Sequence, residues 1–201
     1  AYEALTDSFF DCDYLFLCAP VSENDQFLGQ IRQSLHADTI LTDVGSVKQT
    51  THAAIKKAGL SSVFIGGHPM AGSEKTGYQN ASERLLENAY YILTPTQESP
   101  VTAIQGLQTL ISSIGAIPLI MDYHTHDYVT AAVSHLPHII AATLVNYVKD
   151  SDTKSELMKR LAAGGFKDIT RIASSSPTMW QHICLKNKDN ISQILDSYIK
   201  Y

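Results

Sequence analysis

Four short segments of this 201-residue chain concentrate the side chains able to do chemistry. The densest is Gly66-Gly67-His68-Pro69-Met70-Ala71-Gly72-Ser73-Glu74-Lys75-Thr76-Gly77, where glycines bracket a histidine. A neutral imidazole accepts a proton near pH 7, and loops at strand ends commonly aim such groups at ligands. A hydrogen-bonded structural histidine is the plainer alternative for His68. Asp43–Lys48 (DVGSVK) falls where a strand should end and a helix begin, the edge at which open α/β sheets take ligands. Ser46 is expected to cap that helix, and a capping hydroxyl can also touch a ligand. Lys48 is expected to be a solvated charge.

Ser134-His135-Leu136-Pro137-His138 lies inside a long apolar stretch. Two histidines three apart share a helical face, and Pro137 disrupts the ladder around Val133. Each ring needs a partner, so ligand contacts and satisfied core histidines stand side by side. A zinc site from His124, His126, His135 and His138 is weighed and set aside, because no carboxylate or thiolate completes a tetrahedron. In Lys167–Arg171, Asp168 and Arg171 could pair three apart on a helix. Arg171 gains interest as a planar fork suited to a substrate carboxylate. Trp180 is expected in the core.

The elements that must position these groups follow from short apolar runs. Tyr14–Cys18 reads as a buried parallel strand, and Thr39–Val44, Val63–Gly66, Ala89–Leu93 and Ile117–Met121 as further strands. Between them lie a helix capped by Ser22 and running to about Leu35, one over Val47–Ala58 closed by Gly59, and one from about Pro100 to Ile114. This alternation predicts an α/β fold with a doubly wound parallel sheet over residues 1–122. Residues 123–201 read as an all-helical domain: a long helix Tyr123–Lys149 kinked at Pro137, helices over Lys154–Ala163 and Asp168–Ser174 separated by Gly164-Gly165, and a pair from Pro177 to Tyr201.

Composition narrows the partners. A net charge of −5 with no Lys/Arg block argues against nucleic acid. Tyr128–Val148 carries no Asp, Glu, Lys or Arg over a membrane-like length, but its histidines, proline and hydroxyls favour a buried helix of a soluble core. Cys12, Cys18 and Cys184 are scattered, with no disulfide framework, which fits a reducing cytoplasm. The first glycine is Gly29, so no glycine-rich turn accompanies the first strand. The expectation is the central part of a longer protein whose isolated 201 residues hold a dinucleotide weakly or not at all.

Together DVGSVK at 43–48, GGHPMAGSEKTG at 66–77, HDYVTAAVSHLPH at 126–138 and GGFKDITRIASSSPTMW at 164–180 resemble the blocks of the prephenate dehydrogenase family, in order and spacing. The resemblance implies an incomplete Rossmann-like domain for NAD, with NADP the alternative, and a helical domain that forms a homodimer. It implies oxidative decarboxylation of prephenate to 4-hydroxyphenylpyruvate. By motif, His68 matches the catalytic base and Ser46 the serine beside the hydroxyl and the nicotinamide. His138 and Arg171 match substrate-binding positions, with Ser134 and His135 beside them. Asp168 matches the residue orienting the arginine, and Ala19, Pro20 and Ser46 fall at cofactor-binding positions; no metal is implied. Arogenate dehydrogenase, a hydroxyacid or imine reductase, and a cofactor-free helical interaction module are the competing readings.

Overall fold

The computed structural model describes residues 9–72 and 77–201. The Ser73-Glu74-Lys75-Thr76 part of the glycine-bracketed segment lies outside the described residues. The chain divides into two compact units, one taking in the chain up to Gly72 and Ala81–Asp127, the other Tyr128–Tyr201 with the short stretch ending at Asn80.

The first unit is a five-stranded sheet in the order β1 (Tyr14–Leu17), β2 (Ile40–Asp43), β3 (Phe64–Pro69), β4 (Tyr90–Pro95), β5 (Ile117–Ile120). Helices α1 (Val21–Ser34), α2 (Gln49–Ala58) and α3 (Val101–Ser113) connect the strands. Successive strand residues point to opposite faces, so Phe64 joins one core with Leu41, Leu28, Ile31 and Ile55. Ile65 joins the other, with Leu93, Leu107 and Ile111. Gly59 closes α2 in the left-handed region at φ 68°, as expected of a glycine after the last turn.

The Rossmann-like α/β expectation holds, with one difference: the sheet is mixed. Strands β1–β2, β2–β3 and β4–β5 are parallel, but β3 and β4 pair antiparallel from Ile65↔Pro95 to Pro69↔Tyr91. A parallel return needs a crossover, and the described residues between these strands hold only a single 3₁₀ turn at Tyr78–Asn80. Met70 instead donates directly to the Tyr90 carbonyl at 2.8 Å. Helix α1 begins at Val21 with Pro20 at its N-cap, so Ser22 lies within the first turn and is not the cap residue.

Helical backbone extends over α4 (Tyr123–Thr130), a π-helical turn (Ala131–His135) and α5 (Leu136–Ser151). Pro137 offers no amide to Val133, and the helix answers by widening one turn earlier, with Leu136 donating to the Ala131 carbonyl. By length and composition Tyr123–Ser151 could cross a membrane. Its buried positions include His126, Asp127, Thr130, His135 and His138, polar groups costly in hydrocarbon. The stretch is not buried throughout, as the sequence reading of a buried helix would have it: Val133 and Tyr147 are 63% and 66% exposed. Helices α6 (Leu157–Leu161), α7 (Gly164–Thr170), α8 (Pro177–Lys186) and α9 (Lys188–Tyr198) complete the second unit. Gly164-Gly165 opens α7 instead of breaking the chain between helices. Ser176 caps α8 through the Met179 amide, with Pro177 in the first turn.

Candidate functional site

In the first unit the carboxyl ends of β1, β2 and β3 converge. Strands β1 and β2 are parallel and paired through Leu17↔Asp43. The residues that follow, Ala19-Pro20 and Gly45-Ser46, therefore lie at one edge of the sheet. His68 belongs to that edge too, but as part of β3 and not of a loop: it pairs with Ile92 of β4 and is 8% exposed.

The glycines before His68 serve close packing. A Cβ on Gly67 would lie 2.4 Å from the Asp43 carbonyl oxygen, and one on Gly66 2.3 Å from Thr94 Oγ1. Both distances are below what real Cβ atoms show, so β3 passes its neighbours only because these positions lack side chains.

A buried carboxylate organises the loop after β2. Asp43 Oδ1 accepts from the Gly67 amide at 3.0 Å, and Oδ2 accepts from the Gly45 amide at 3.0 Å and from Lys48 Nζ. Lys48 Nζ also donates to the Gly67 carbonyl at 2.7 Å. Lys48 is thus fully buried, where the sequence suggests a solvated charge. Burial pushes its ammonium down from the ordinary lysine value, opposed by Asp43 and then Asp127.

Ser46 does not cap α2. The N-cap position belongs to Lys48, and the cap is the carboxylate of Asp127, on α4. Its Oδ1 accepts from the Lys48 amide and its Oδ2 from the Gln49 amide, both at 2.8 Å. An anion bridging two first-turn amides satisfies their hydrogen bonds and complements the helix dipole. Ser46 is left half-buried in the preceding loop.

Asp127 Oδ1 also lies 2.8 Å from His126 Nδ1, and His126 Nε2 lies 2.8 Å from His68 Nδ1. His126 and Asp127 are fully buried. Nearby, His52 Nε2 bonds Thr94 Oγ1 at 2.9 Å, and its ring stacks on Tyr123. Burial first, and the Lys48 charge second, push His52 down to about 4.

In the second unit His135, His138 and Trp180 form a cluster. The His138 ring stacks on Trp180 at 3.6 Å and 5°, and His135 meets the same indole edge-on at 6.0 Å. His135 Nδ1 accepts from Asn187 Nδ2 at 3.0 Å, which makes it a satisfied core histidine. His138 bonds the Ile172 backbone, and its burial lowers its affinity for a proton. Its Nδ1, together with Trp180 Nε1, is buried without a hydrogen-bond partner. Ser134 is half-buried, while Asp168 and Arg171 are exposed. No ion pair joins those two: α7 ends at Thr170 and the backbone tightens to 3₁₀ over Arg171–Ser174.

The weighed zinc histidines are not gathered. His126 is engaged by His68 and Asp127, His135 by Asn187, and the described residues hold no metal-binding group of His, Cys, Asp or Glu. Sequence reasoning missed Asp127, His126, His52 and the burial of Lys48. One signal was available: Asp127 is the only acidic residue between Tyr123 and Lys149. A lone carboxylate in so apolar a stretch needs a built set of donors.

Comparison with known proteins places these features in one family. Residues 2–118 match the family model for the nucleotide-binding domain of prephenate dehydrogenase, and residues 122–201 match that for its dimerization domain. The chain is 44% identical to the prephenate dehydrogenase of Bacillus subtilis over 92% of its own length and 51% of the relative's. It therefore spans about half the length of that relative. It superposes with TM-score 0.89 on prephenate dehydrogenase from Aquifex aeolicus, solved with hydroxyphenyl propionate and NAD+, at 34% identity over 96% of this chain and 67% of that one. Arogenate dehydrogenase from Synechocystis follows at TM-score 0.82 and 27% identity, over 96% and 70% of the two chains.

Proposed function

The chain belongs to the prephenate dehydrogenase family, and from that premise we propose that the full-length protein oxidises prephenate with NAD+ to 4-hydroxyphenylpyruvate, CO2 and NADH. The observation that carries the reading is His68 at the carboxyl end of β3, on the edge shared by Ala19, Pro20 and Ser46.

That edge suits a dinucleotide. The β1 and β2 ends are parallel and in register. Asn24 Oδ1 is buried without a partner, beside a cavity of about 160 Å³ that Cys18 and Ala19 also line. Ala19 and Pro20 would hold the cofactor with Ser46. When bound, NAD+ supplies the hydride acceptor.

His68 accepts the C4 hydroxyl proton as hydride leaves C4. Cleavage of the bond between the ring and its carboxylate sends an electron pair into the ring and releases CO2. Aromaticity is gained, and His68 returns its proton to the phenolic oxygen. Decarboxylation so driven needs little acid–base help, so the chain's tasks are alignment and proton handling. Arg171 and His138 are the groups for the substrate carboxylates, with Ser134 beside them. His135 meets edge-on the same Trp180 on which His138 stacks, and Asp168 is the carboxylate closest in sequence to Arg171. Exposed Val133, Tyr147 and Leu161 suit a homodimer through the helical unit, and the reading implies a cytoplasmic enzyme.

Likeness to arogenate dehydrogenase supports a second reading, with an amino group where prephenate has a keto group. Steady-state NADH and NADPH formation by the full-length protein, with each substrate and each cofactor, separates the two. We expect kcat/KM for prephenate with NAD+ to exceed that for arogenate at least tenfold. The reverse order would overturn the prephenate reading.

A further inference from the structure

We propose that the buried Asp43–Lys48 pair is a positioning device: it holds the Gly67 peptide from which His68 projects and, through the same carboxylate, the loop that carries Ser46. The inference rests on the reading of His68 as the base.

The strand pattern shows what the pair replaces. In an antiparallel pair, successive residues turn their N–H and C=O alternately toward and away from the partner strand. Met70 donates to the Tyr90 carbonyl, in continuation of the β3–β4 register. By alternation His68 also turns its backbone groups to β4, and Gly67 turns its own toward β2. The β2–β3 register runs through Leu41↔Phe64 and Thr42↔Ile65, two residues short of Gly67. Side chains take over there. Asp43 Oδ1 accepts from the Gly67 amide at 3.0 Å, and Lys48 Nζ donates to the Gly67 carbonyl at 2.7 Å. That carbonyl belongs to the peptide bond joining Gly67 to His68, so the ammonium sets the plane from which the histidine leaves the strand.

The other carboxylate oxygen reaches a second element. Asp43 Oδ2 accepts from the Gly45 amide at 3.0 Å and pairs with Lys48 Nζ. One carboxylate thus binds the residue before Ser46 and the residue before His68, fixing the spacing between the cofactor-side loop and the base. A buried ion pair adds little stability by itself, because desolvation offsets its attraction, and apolar side chains of similar volume often do as well. Leucine and methionine in its place could not bind the amide and carbonyl of Gly67. Packing cannot substitute, since Gly67 has no side chain and a Cβ there would lie 2.4 Å from the Asp43 carbonyl oxygen.

Removing one partner would strand a buried charge, so the test replaces both. Asp43→Leu with Lys48→Met keeps the shape and removes both hydrogen bonds to Gly67. Asp43→Asn with Lys48→Gln removes the charges but can still accept from the amide and donate to the carbonyl. Both double variants are made in the full-length protein, with and without His68→Asn. They are read by amide hydrogen exchange and by kinetics with prephenate and NAD+.

In the wild type the Gly67 amide should be protected within about tenfold of that of Leu93, its buried cross-strand neighbour, and at least a hundredfold more than that of exposed Gly72. The leucine–methionine variant should lose at least tenfold more protection at Gly67 than at Leu93. Its kcat should fall about ten- to a hundredfold, with KM for prephenate within threefold. The asparagine–glutamine variant should recover most of both losses. In the His68→Asn background the leucine–methionine change should cost at least fivefold less in kcat, because the pair acts through His68. A wild-type Gly67 as unprotected as Gly72, equal losses of protection at Gly67 and Leu93, or a leucine–methionine variant with kcat within threefold of wild type would overturn the proposal. Protection is read without turnover: a His68→Asn enzyme of near-normal kcat would refute His68 as the base, while exchange still decides whether the pair holds the Gly67 peptide.

Discussion

His68 Nδ1 lies 2.8 Å from His126 Nε2, across 58 residues of sequence, with both rings buried. The contact joins β3 to α4, and the residue after His126 clamps the start of α2. Base, helix cap and strand-end loop thus form one hydrogen-bonded unit, whose geometry depends on Asp127 staying in place.

His52 makes acid stability a test of the packing behind this unit. Its pKa in the folded protein is about 4, below the ordinary 6.5, because the buried ring resists charging. An unfolded chain then binds more protons at His52 between these values. Its contribution is fully present above pH 6.5 and is lost as pH falls toward 4. The loss amounts to about 2–3 kcal/mol. Urea unfolding of wild type and His52→Gln across that interval should show the smaller decline in the variant. Parallel declines would mean that His52 is not held neutral.

Gly67→Ala tests the close approach of β3 to β2. The added Cβ meets the backbone carbonyl of Asp43 at 2.4 Å, and backbone cannot swing aside as a flexible side chain can. A cost of at least about 2 kcal/mol is expected, in line with overpacked cores. Thermal melts should show Gly67→Ala well below Gly72→Ala, since Gly72 has open space around its Cβ position. Equal melting temperatures would contradict the packing.

The strands and main helices were legible because short apolar runs such as Tyr14–Cys18 write themselves plainly between turn signals, although in β1 only Leu15 and Leu17 are buried and Phe16 is exposed. The direction of β4 was not. A strand's residues read alike either way, and only the connection decides. Gly67 resembled the start of a loop because glycine signals both turns and close strands, and the contact with Asp43 that distinguishes them is tertiary. Lys48 looked solvated because its partner Asp43 and the Gly67 carbonyl come together only in the sheet. Ser46 sat where a local cap belongs, but Asp127, 79 residues beyond Lys48, supplies the cap instead. His135 and His138 were recognised as paired on one face, yet nothing local revealed Trp180 as their shared platform.

Arg171→Ala in the full-length protein tests the carboxylate-binding reading. Loss of a charge-assisted contact worth about 1.5–3 kcal/mol should raise KM for prephenate roughly ten- to a hundredfold. The affinity for NAD+ should hardly change, because the cofactor residues belong to the sheet unit. The melting temperature should also stay within a degree or two, because Arg171 is exposed and surface substitutions cost little. An unchanged KM would reject the role.

The central claim is that His68 is the proton acceptor, and His68→Asn in the full-length protein tests it most directly. Asparagine keeps a polar side chain on β3 but cannot take up the hydroxyl proton. Steady-state kinetics with prephenate and NAD+ should show kcat reduced by about 100- to 10,000-fold, with KM for prephenate changed by less than about threefold. A His68→Asn enzyme with near-normal kcat would contradict the account and leave His68 as a structural histidine of the sheet edge.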